Sequence, residues 1–370
     1  MTFLHTLMTA WLQFLLENRK VYHAMSKIYQ EVNMKYVGLD IHKEFCVATE
    51  MDEEGNIIRD GRIETSREAI EEFFSSVERG KVAIESTGIW DYIYEILDVL
   101  GLEVKLVNPV KARAIAAAKI KTDKVDATIL AHLLRSNLIP EVYIGNREMR
   151  ELKRLINERL LMKKIGNQIK NRIRSELLRR GIRPEMNIFT KKGEQYLRAL
   201  RINSIIRELR VLESVEKEIH SIDEELLEYY ENNEDAQLLA TIPGVGYYTA
   251  LTLAAVIGDI NRFPSSERLS SYFGLVPSTK QSANTVYRGP ITKEGSSTVR
   301  WLLIQCAWVH VTHCTDSFLT KFYQRIAKKK GKRKAIVAMA RKMTRVIYWM
   351  LKTKEPFHVE GYKIRDIHAE

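Results

Sequence analysis

The 370-residue chain is poor in cysteine, in uninterrupted apolar sequence and, relative to its bases, in acid. Cys46, Cys306 and Cys314 are too few for a disulfide framework, which excludes the small oxidised secreted folds and fits a reducing interior. The apolar-rich stretch over residues 3–16 is interrupted by His5, Thr6, Thr9 and Gln13. It is too short to span a bilayer and lacks the positive flank of a secretory signal, so no membrane role is expected. Acids number 47 against 58 Lys and Arg, a formal charge of +11. That imbalance, with a pI near 9.3, points toward a polyanionic partner. The rest of the composition, 45% apolar and 28% charged, is that of an ordinary soluble protein long enough for two or three domains.

Among the scarce acids, four fall in three short motifs in the first half of the chain. Asp40 lies in Gly38-Leu39-Asp40-Ile41-His42-Lys43, Glu85 in Ile84-Glu85-Ser86-Thr87-Gly88, and Asp123 with Asp126 in Lys121-Thr122-Asp123-Lys124-Val125-Asp126-Ala127. Asp40 and Glu85 each close an apolar run that reads as a buried strand, where a carboxylate is costly unless something positive meets it. Asp123 and Asp126 are three apart in what reads as a helix start, so both project from one face. Carboxylates converging from two strand ends and a helix suit a hard divalent cation, Mg²⁺ or Mn²⁺. As surface or helix-capping charges the second pair would be unremarked; the strand-end acids argue against that reading.

The spacing predicts strands over 36–41, 45–50, 57–64, 82–85 and 104–107, with helices over 67–78 and about 92–100. Three antiparallel strands followed by alternating helix and strand is the order of a ribonuclease H-like domain, expected over residues 34–145. Residues 1–33 are either an extra amphipathic helix or translation upstream of an internal start at Met34. From Leu152 to Leu177 and from Ile202 to Leu226 apolar residues recur at helical, heptad-like spacing, so residues 146–235 read as a long helical, coiled-coil pair with a seam left for a partner chain. Residues 147–183 hold 13 Lys or Arg against 4 Glu.

A mostly helical domain is expected over 236–370. It opens on Thr241-Ile242-Pro243-Gly244-Val245-Gly246, either a helix-hairpin-helix element whose amides approach a phosphate or a plain helix–helix turn. A polar loop over 278–294 and two more helices should follow. Residues 321–346 hold 11 Lys or Arg and no acid, which favours nucleic-acid contact over a merely solvated face.

Taken together, these motifs resemble the DEDD transposases of the insertion sequence 110 family, relatives of the Piv-type DNA invertases, from Met34 to about His358. Further motifs that carry the likeness are Asn108-Pro109, Phe273-Gly274-Leu275-Val276-Pro277, Arg288-Gly289 with Ile291-Thr292-Lys293-Glu294-Gly295, and Leu302-Leu303 before Ala307-Trp308. The resemblance implies a recombinase that pairs a Holliday-junction-resolvase-like domain, its metal held by Asp40, Glu85, Asp123 and Asp126, with a C-terminal domain bearing a nucleophilic serine. That serine falls at Ser282, with Ser278 its competitor. Ala283-Asn284 follows it where the family commonly has a glycine or other small residue. The implied partners are donor and target DNA, a noncoding bridge RNA, and further copies of the chain in a dimer or tetramer. The implied location is cytoplasmic, on the nucleoid.

Two other functional classes fit parts of the pattern. One is a metal-dependent junction endonuclease that hydrolyses DNA, with Ser282 structural; the other is a nucleic-acid-binding protein without catalysis, against which the intact quartet argues. A Piv-like invertase would share the chemistry and differ in the sites joined. Cys306, His310, His313 and Cys314 crowd one helical stretch and read as satisfied core, not zinc ligands. Trp301, Trp308 and Trp349 read as core packing.

Overall fold

The computed structural model describes residues 34–77, 79–115, 122–282 and 285–361. The expected extra helix over 1–33 lies outside them, as does Lys121. The chain divides into two compact units, with the boundary between Ile144 and Gly145.

The first unit is built on a six-stranded mixed sheet. Its strands are β1 (Lys35–Ile41), β2 (Phe45–Met51), β3 (Ile57–Glu64), β4 (Gly80–Glu85), β5 (Glu103–Val107) and the short β6 (Glu141–Val142), in the order β3-β2-β1-β4-β5-β6. β1, β4 and β5 run parallel, whereas the β1–β2, β2–β3 and β5–β6 pairs are antiparallel. The helices are α1 (Arg67–Phe74), α2 (Trp90–Val99), α3 (Pro109–Ile115) and α4 (Asp123–Arg135). Val37, Leu39, Ile41, Val82 and Ile84 pack on one face against Ile70, Phe74, Ile93, Ile96 and Leu97. Each fully buried Ile or Leu there contributes about 1.5–3 kcal/mol. On the opposite face Ala83 and Val107 meet Leu130, Leu133 and Leu134 of α4.

Gly38 sets how closely α4 lies on that second face. A Cβ at this position would fall 2.0 Å from the Ala127 carbonyl oxygen and 2.5 Å from the Ala131 nitrogen. A side chain would therefore lift the helix off the sheet. Thr122 caps α4, its hydroxyl accepting from the Val125 N–H at 3.3 Å. The helix is tied across the sheet by a hydroxyl pair, Thr49 with Thr128 at 3.2 Å, and by the Lys124–Asp60 ion pair.

The second unit holds the long helices α5 (Arg147–Arg179) and α7 (Asn203–Glu231), with α6 (Lys191–Ala199) in their connection. Arg172–Glu208 and Lys170–Glu216 pairs show that they run antiparallel. The heptad-like residues expected to leave a seam for a partner are spent within the chain: Ile169, Ile173 and Leu177 pack against Leu209, Leu212, Val215 and Ile219. Leu161, Leu178, Val211 and Leu227 stay exposed. The first helix stops short of Pro184. Gly181 takes φ +72°, the Ile182 N–H reaches the Leu177 carbonyl and the Gly181 N–H that of Leu178, a Schellman cap.

The remaining elements are α8 (Glu234–Ala240), α9 (Tyr247–Ile257), α10 (Ser266–Tyr272), a hairpin of β7 (Pro277–Ser282) and β8 (Thr285–Ile291), then α11 (Ser297–His313), α12 (Phe318–Lys330) and α13 (Lys332–Thr353). Leu152, Ile156, Ile222 and Leu226 of the long pair share one core with α8–α13. The expected polar loop over 278–294 is mostly this hairpin, and three helices follow it where two were expected. Gly331, at φ +79°, splits the basic stretch into α12 and α13.

Trp301 and Trp308 correct the core-packing reading. They are 55% and 36% exposed, because α11 buries the stripe Val299, Leu302, Leu303, Cys306, Ala307 and His310, and the two tryptophans lie off it. Trp349 does pack against the core. His310 is a satisfied core residue: its Nδ1 lies 2.8 Å from the Pro243 carbonyl and its Nε2 2.7 Å from the Ser317 hydroxyl. Burial pushes the Cys306 thiol up to about 11, unlike a metal-ligating thiolate.

Candidate active site

Asp40 is the second-to-last residue of β1 and only 8% exposed. Alternation puts it on the Gly38 face, under the first turn of α4. Leu39 pairs with Ile84 in the parallel β1–β4 register, so Asp40 and Glu85 each lie one step further along neighbouring strands, on the same face. Asp123 and Asp126 occupy the first turn of α4, where the helix dipole favours negative charge.

The donor atoms of Asp40, His42 and Asp123 all lie within 4.8 Å of one another. His42 Nε2 is 3.2 Å from Asp40 Oδ2 and 3.3 Å from Asp123 Oδ2. These are ion-pair distances without the alignment of a hydrogen bond, so the contact is electrostatic before it is directional. Burial is the largest influence on Asp40 and pushes its carboxyl above the ordinary carboxylate range. His42 pulls it back down, while Asp123 and Asp126 push it further up. A buried carboxyl raised by neighbouring acids is relieved by a divalent cation, and carboxylate oxygens are the donors Mg²⁺ or Mn²⁺ takes.

Of the acids singled out in the sequence, Asp40 and Asp123 are thus brought together, and Asp126 acts on Asp40 through its charge. Glu85 shares the face and the strand end but stands outside the 4.8 Å cluster. His42 was missed, although it belongs to the Asp40 motif; its meeting with Asp123 is a spatial fact that no local pattern carries.

Ser282 lies in the other compact unit, as the last residue of β7, paired with Thr285 across the hairpin. Ser278 sits near the hairpin root, and a Cβ on Gly289 would come within 2.4 Å of its hydroxyl. The root is anchored by close backbone packing. Gly274 (φ +65°) and Gly295 (φ +67°) would carry Cβ atoms 2.3 Å from the Glu294 oxygen and 2.2 Å from the Tyr272 oxygen. The Arg300 guanidinium donates to the Phe273 and Gly295 carbonyls at 3.3 and 3.1 Å.

Beside the hairpin root runs a groove of about 1160 Å³ floored by Phe322, Ile326 and Val337. Lys330, Arg333, Lys334, Arg341, Lys342 and Arg345 are among its lining residues, and no acid is among the described residues that line it. Lys342 stands 4.7 Å from the Phe322 ring; burial, then Arg325 and Arg345, push its ammonium below the ordinary lysine range. Strong positive charge over an apolar floor suits a polyanion.

Comparison with known proteins covers the stretches that carry both regions. Residues 37–181 match the DEDD transposase model of the IS110 group, and residues 236–325 match the model described as transposase IS116/IS110/IS902 family. The chain belongs to the IS110 family of transposases. A transposase for insertion sequence element IS1111A from Coxiella burnetii is 28% identical over 88% of this chain and 92% of its own length. One for element IS1328 from Yersinia enterocolitica is 26% identical over 75% and 84%. A pilin gene-inverting protein from Moraxella lacunata is 29% identical over 74% and 80%. This IS110-family chain is therefore a DNA transposase or recombinase enzyme, with an acidic cluster that suggests a divalent metal site. Among its described residues no helix is long and apolar enough to cross a membrane.

Proposed function

We propose that this transposase cuts and rejoins DNA through a covalent phosphoserine on Ser282, with Mg²⁺ or Mn²⁺ held by Asp40, Glu85, Asp123 and Asp126. The observation that carries the reading is Asp40, a buried carboxylate whose neighbours are two further acids and one imidazole. The metal, when bound, supplies polarisation of the scissile phosphate and stabilises the leaving oxygen. The carboxylates orient around it, and α4, seated on Gly38, fixes Asp123 and Asp126 against the strand ends.

Ser282 gives up its hydroxyl proton to a base, and its Oγ forms the new bond to phosphorus. The bond from phosphorus to the leaving deoxyribose oxygen breaks, and that oxygen takes up a proton. Attack by another strand's hydroxyl reverses the step and releases the serine, so rejoining needs no ATP. Its position at the hairpin tip supports Ser282 over Ser278, which is backed against Gly289.

The strand order supports a ribonuclease H-like fold for residues 34–145; a helical region over 146–235 and a transposase domain over 236–370 complete the proposed division. The basic groove is the proposed seat of nucleic-acid backbone, from donor and target DNA or from a bridge RNA that selects sequence by pairing while the protein reads backbone. The proposed assembly is of several copies of the chain, in a dimer or tetramer. The proposed location is cytoplasmic, on nucleoid DNA.

The test is an adduct assay with end-labelled element-junction DNA, Mg²⁺ and RNA purified with the protein from its native locus. Wild type should form a denaturant-resistant protein–DNA band that Ser282→Ala lacks while still binding nucleic acid. Cleavage with no band, unchanged in Ser282→Ala, would make the protein a hydrolytic junction endonuclease.

A further inference from the structure

We infer that His42 is itself a ligand of the divalent cation, adding one nitrogen donor through Nε2 to the carboxylate oxygens. The inference rests on the metal-site reading above and concerns which of this chain's atoms complete it.

Three observations carry it. The first is spacing. Donors at right angles around an ion with bonds of about 2.0–2.2 Å lie about 2.9–3.1 Å apart, and opposite donors about 4.2 Å apart. Nε2 lies 3.2 Å and 3.3 Å from the two carboxylate oxygens, and all three donor atoms fall within 4.8 Å of one another. Nε2 thus has the spacing of a neighbour to each carboxylate oxygen on one coordination sphere. The second is the state of Nε2, which is shielded from solvent and makes no aligned hydrogen bond. Its contacts are the two carboxylate oxygens, so the nitrogen faces the same point as they do.

The third is that the ring is held in place. The His42 N–H donates to the Phe45 carbonyl at 2.9 Å, and the His42 carbonyl accepts from the Thr65 hydroxyl at 3.2 Å. The imidazole packs on the Phe45 ring with centroids 4.6 Å apart. The turn between β1 and β2 thus fixes the side chain's backbone and one ring face, and presents Nε2 to Asp40 and Asp123. A ligand needs that preorganisation; a surface histidine does not.

A nitrogen donor changes which ion the site prefers. Carboxylate oxygens suit Mg²⁺ and Mn²⁺ alike, whereas an imidazole nitrogen suits first-row transition ions, of which Mn²⁺ is the weakest binder, better than the hard Mg²⁺. This site should therefore favour Mn²⁺ over Mg²⁺ more than an all-oxygen set would.

The experiment uses the full-length chain with Mn²⁺ as the probe, read by pulsed electron paramagnetic resonance. Bound Mn²⁺ in wild type should show coupling to a directly ligated ¹⁴N, absent in His42→Ala and in His42→Gln. Mn²⁺ affinity should fall by roughly tenfold or more in both variants, with Mg²⁺ affinity falling less. A wild-type spectrum without nitrogen coupling decides against the inference even if a variant folds poorly, and His42→Gln is the second variant should His42→Ala fail to fold. Bound Mn²⁺ without nitrogen coupling would overturn the inference and leave the carboxylate site standing, as would coupling that persists in a folded His42→Ala. Failure of wild type to bind Mn²⁺ at millimolar concentration would overturn the metal-site reading and this inference with it.

Discussion

Glu50 and Asp40 are carboxylates on adjacent strands of one sheet, 3% and 8% exposed, and the surroundings that receive them could hardly differ more. Glu50 accepts from Arg59 Nε at 2.6 Å, and the same guanidinium donates to the Phe73 carbonyl and lies 3.9 Å from the Phe73 ring. Its charge is matched by a permanent cation that is itself held by the Phe73 carbonyl and ring. Among the described residues, His42 is the one group that pulls the Asp40 carboxyl down, while Asp123 and Asp126 raise it. A buried carboxylate is therefore no signature of function by itself. The signature is a buried carboxylate for which the chain supplies too little positive charge, because the missing charge must come from outside.

That contrast can be broken from either side. The largest expected effect is on chemistry: Asp40→Asn, or Asp126→Ala, should lower DNA strand cleavage by about a thousandfold or more, the several kcal/mol a metal contributes, with circular dichroism unchanged. Glu50 should reverse the pattern. Arg59→Ala leaves its charge buried and unpaired, so chemical denaturation should show a loss of about 2–4 kcal/mol. Asp40→Asn, measured without metal, should instead leave stability unchanged or raise it. Gly38→Ala joins the two behaviours by forcing α4 off the sheet: about 1–3 kcal/mol of stability lost, together with weakened Mg²⁺ binding in calorimetry.

Smaller effects sharpen the same comparison. In the basic groove, Lys334→Glu and Arg341→Glu should each weaken DNA binding by roughly tenfold and reduce the salt dependence by about one counterion, as fluorescence anisotropy would show. The smallest effect is on pH dependence. The folded chain binds a proton at Asp40 more tightly than the unfolded chain, so metal-free stability falls as pH rises from the ordinary 3.8 through the raised value and stays lower above it. Asp40→Asn lacks that loss. Its advantage over wild type in thermal unfolding should be small in acid and grow toward neutral pH.

Much of this was legible in the sequence, for identifiable reasons. β1–β5 and the two long helices announce themselves through apolar runs and periodicity, and Asp40 and Glu85 stand out because they end such runs. The hairpin over 277–291 was hidden: its sequence is too polar to show the alternation by which a strand packed on a core is recognised. α8 and α10, seven residues each, are too short for helical periodicity to rise above chance. α5 ends before Pro184, the stronger generic breaker, because Gly181 has already turned the chain. Trp301 and Trp308 misled because size and apolarity argue for burial, whereas the phase of α11 decides it. Gly244, read evenly as a phosphate-binding or plain turn residue, has a packing reason: at φ +95° its Cβ would lie 2.8 Å from the Cys306 carbonyl. His42 could be found only in three dimensions, since its partner Asp123 is more than eighty residues away.

The central claim is that the charge missing around Asp40 is supplied by a divalent cation. Thermal unfolding of wild type and Asp40→Asn, each titrated with Mg²⁺ and Mn²⁺, tests it most directly. Wild type should gain about 2.7 kcal/mol at a metal concentration a hundredfold above its Kd, and Asp40→Asn should gain none over the same range. A wild-type protein whose unfolding is unmoved by either ion at saturating concentration, or an Asp40→Asn protein stabilised equally, would contradict the account.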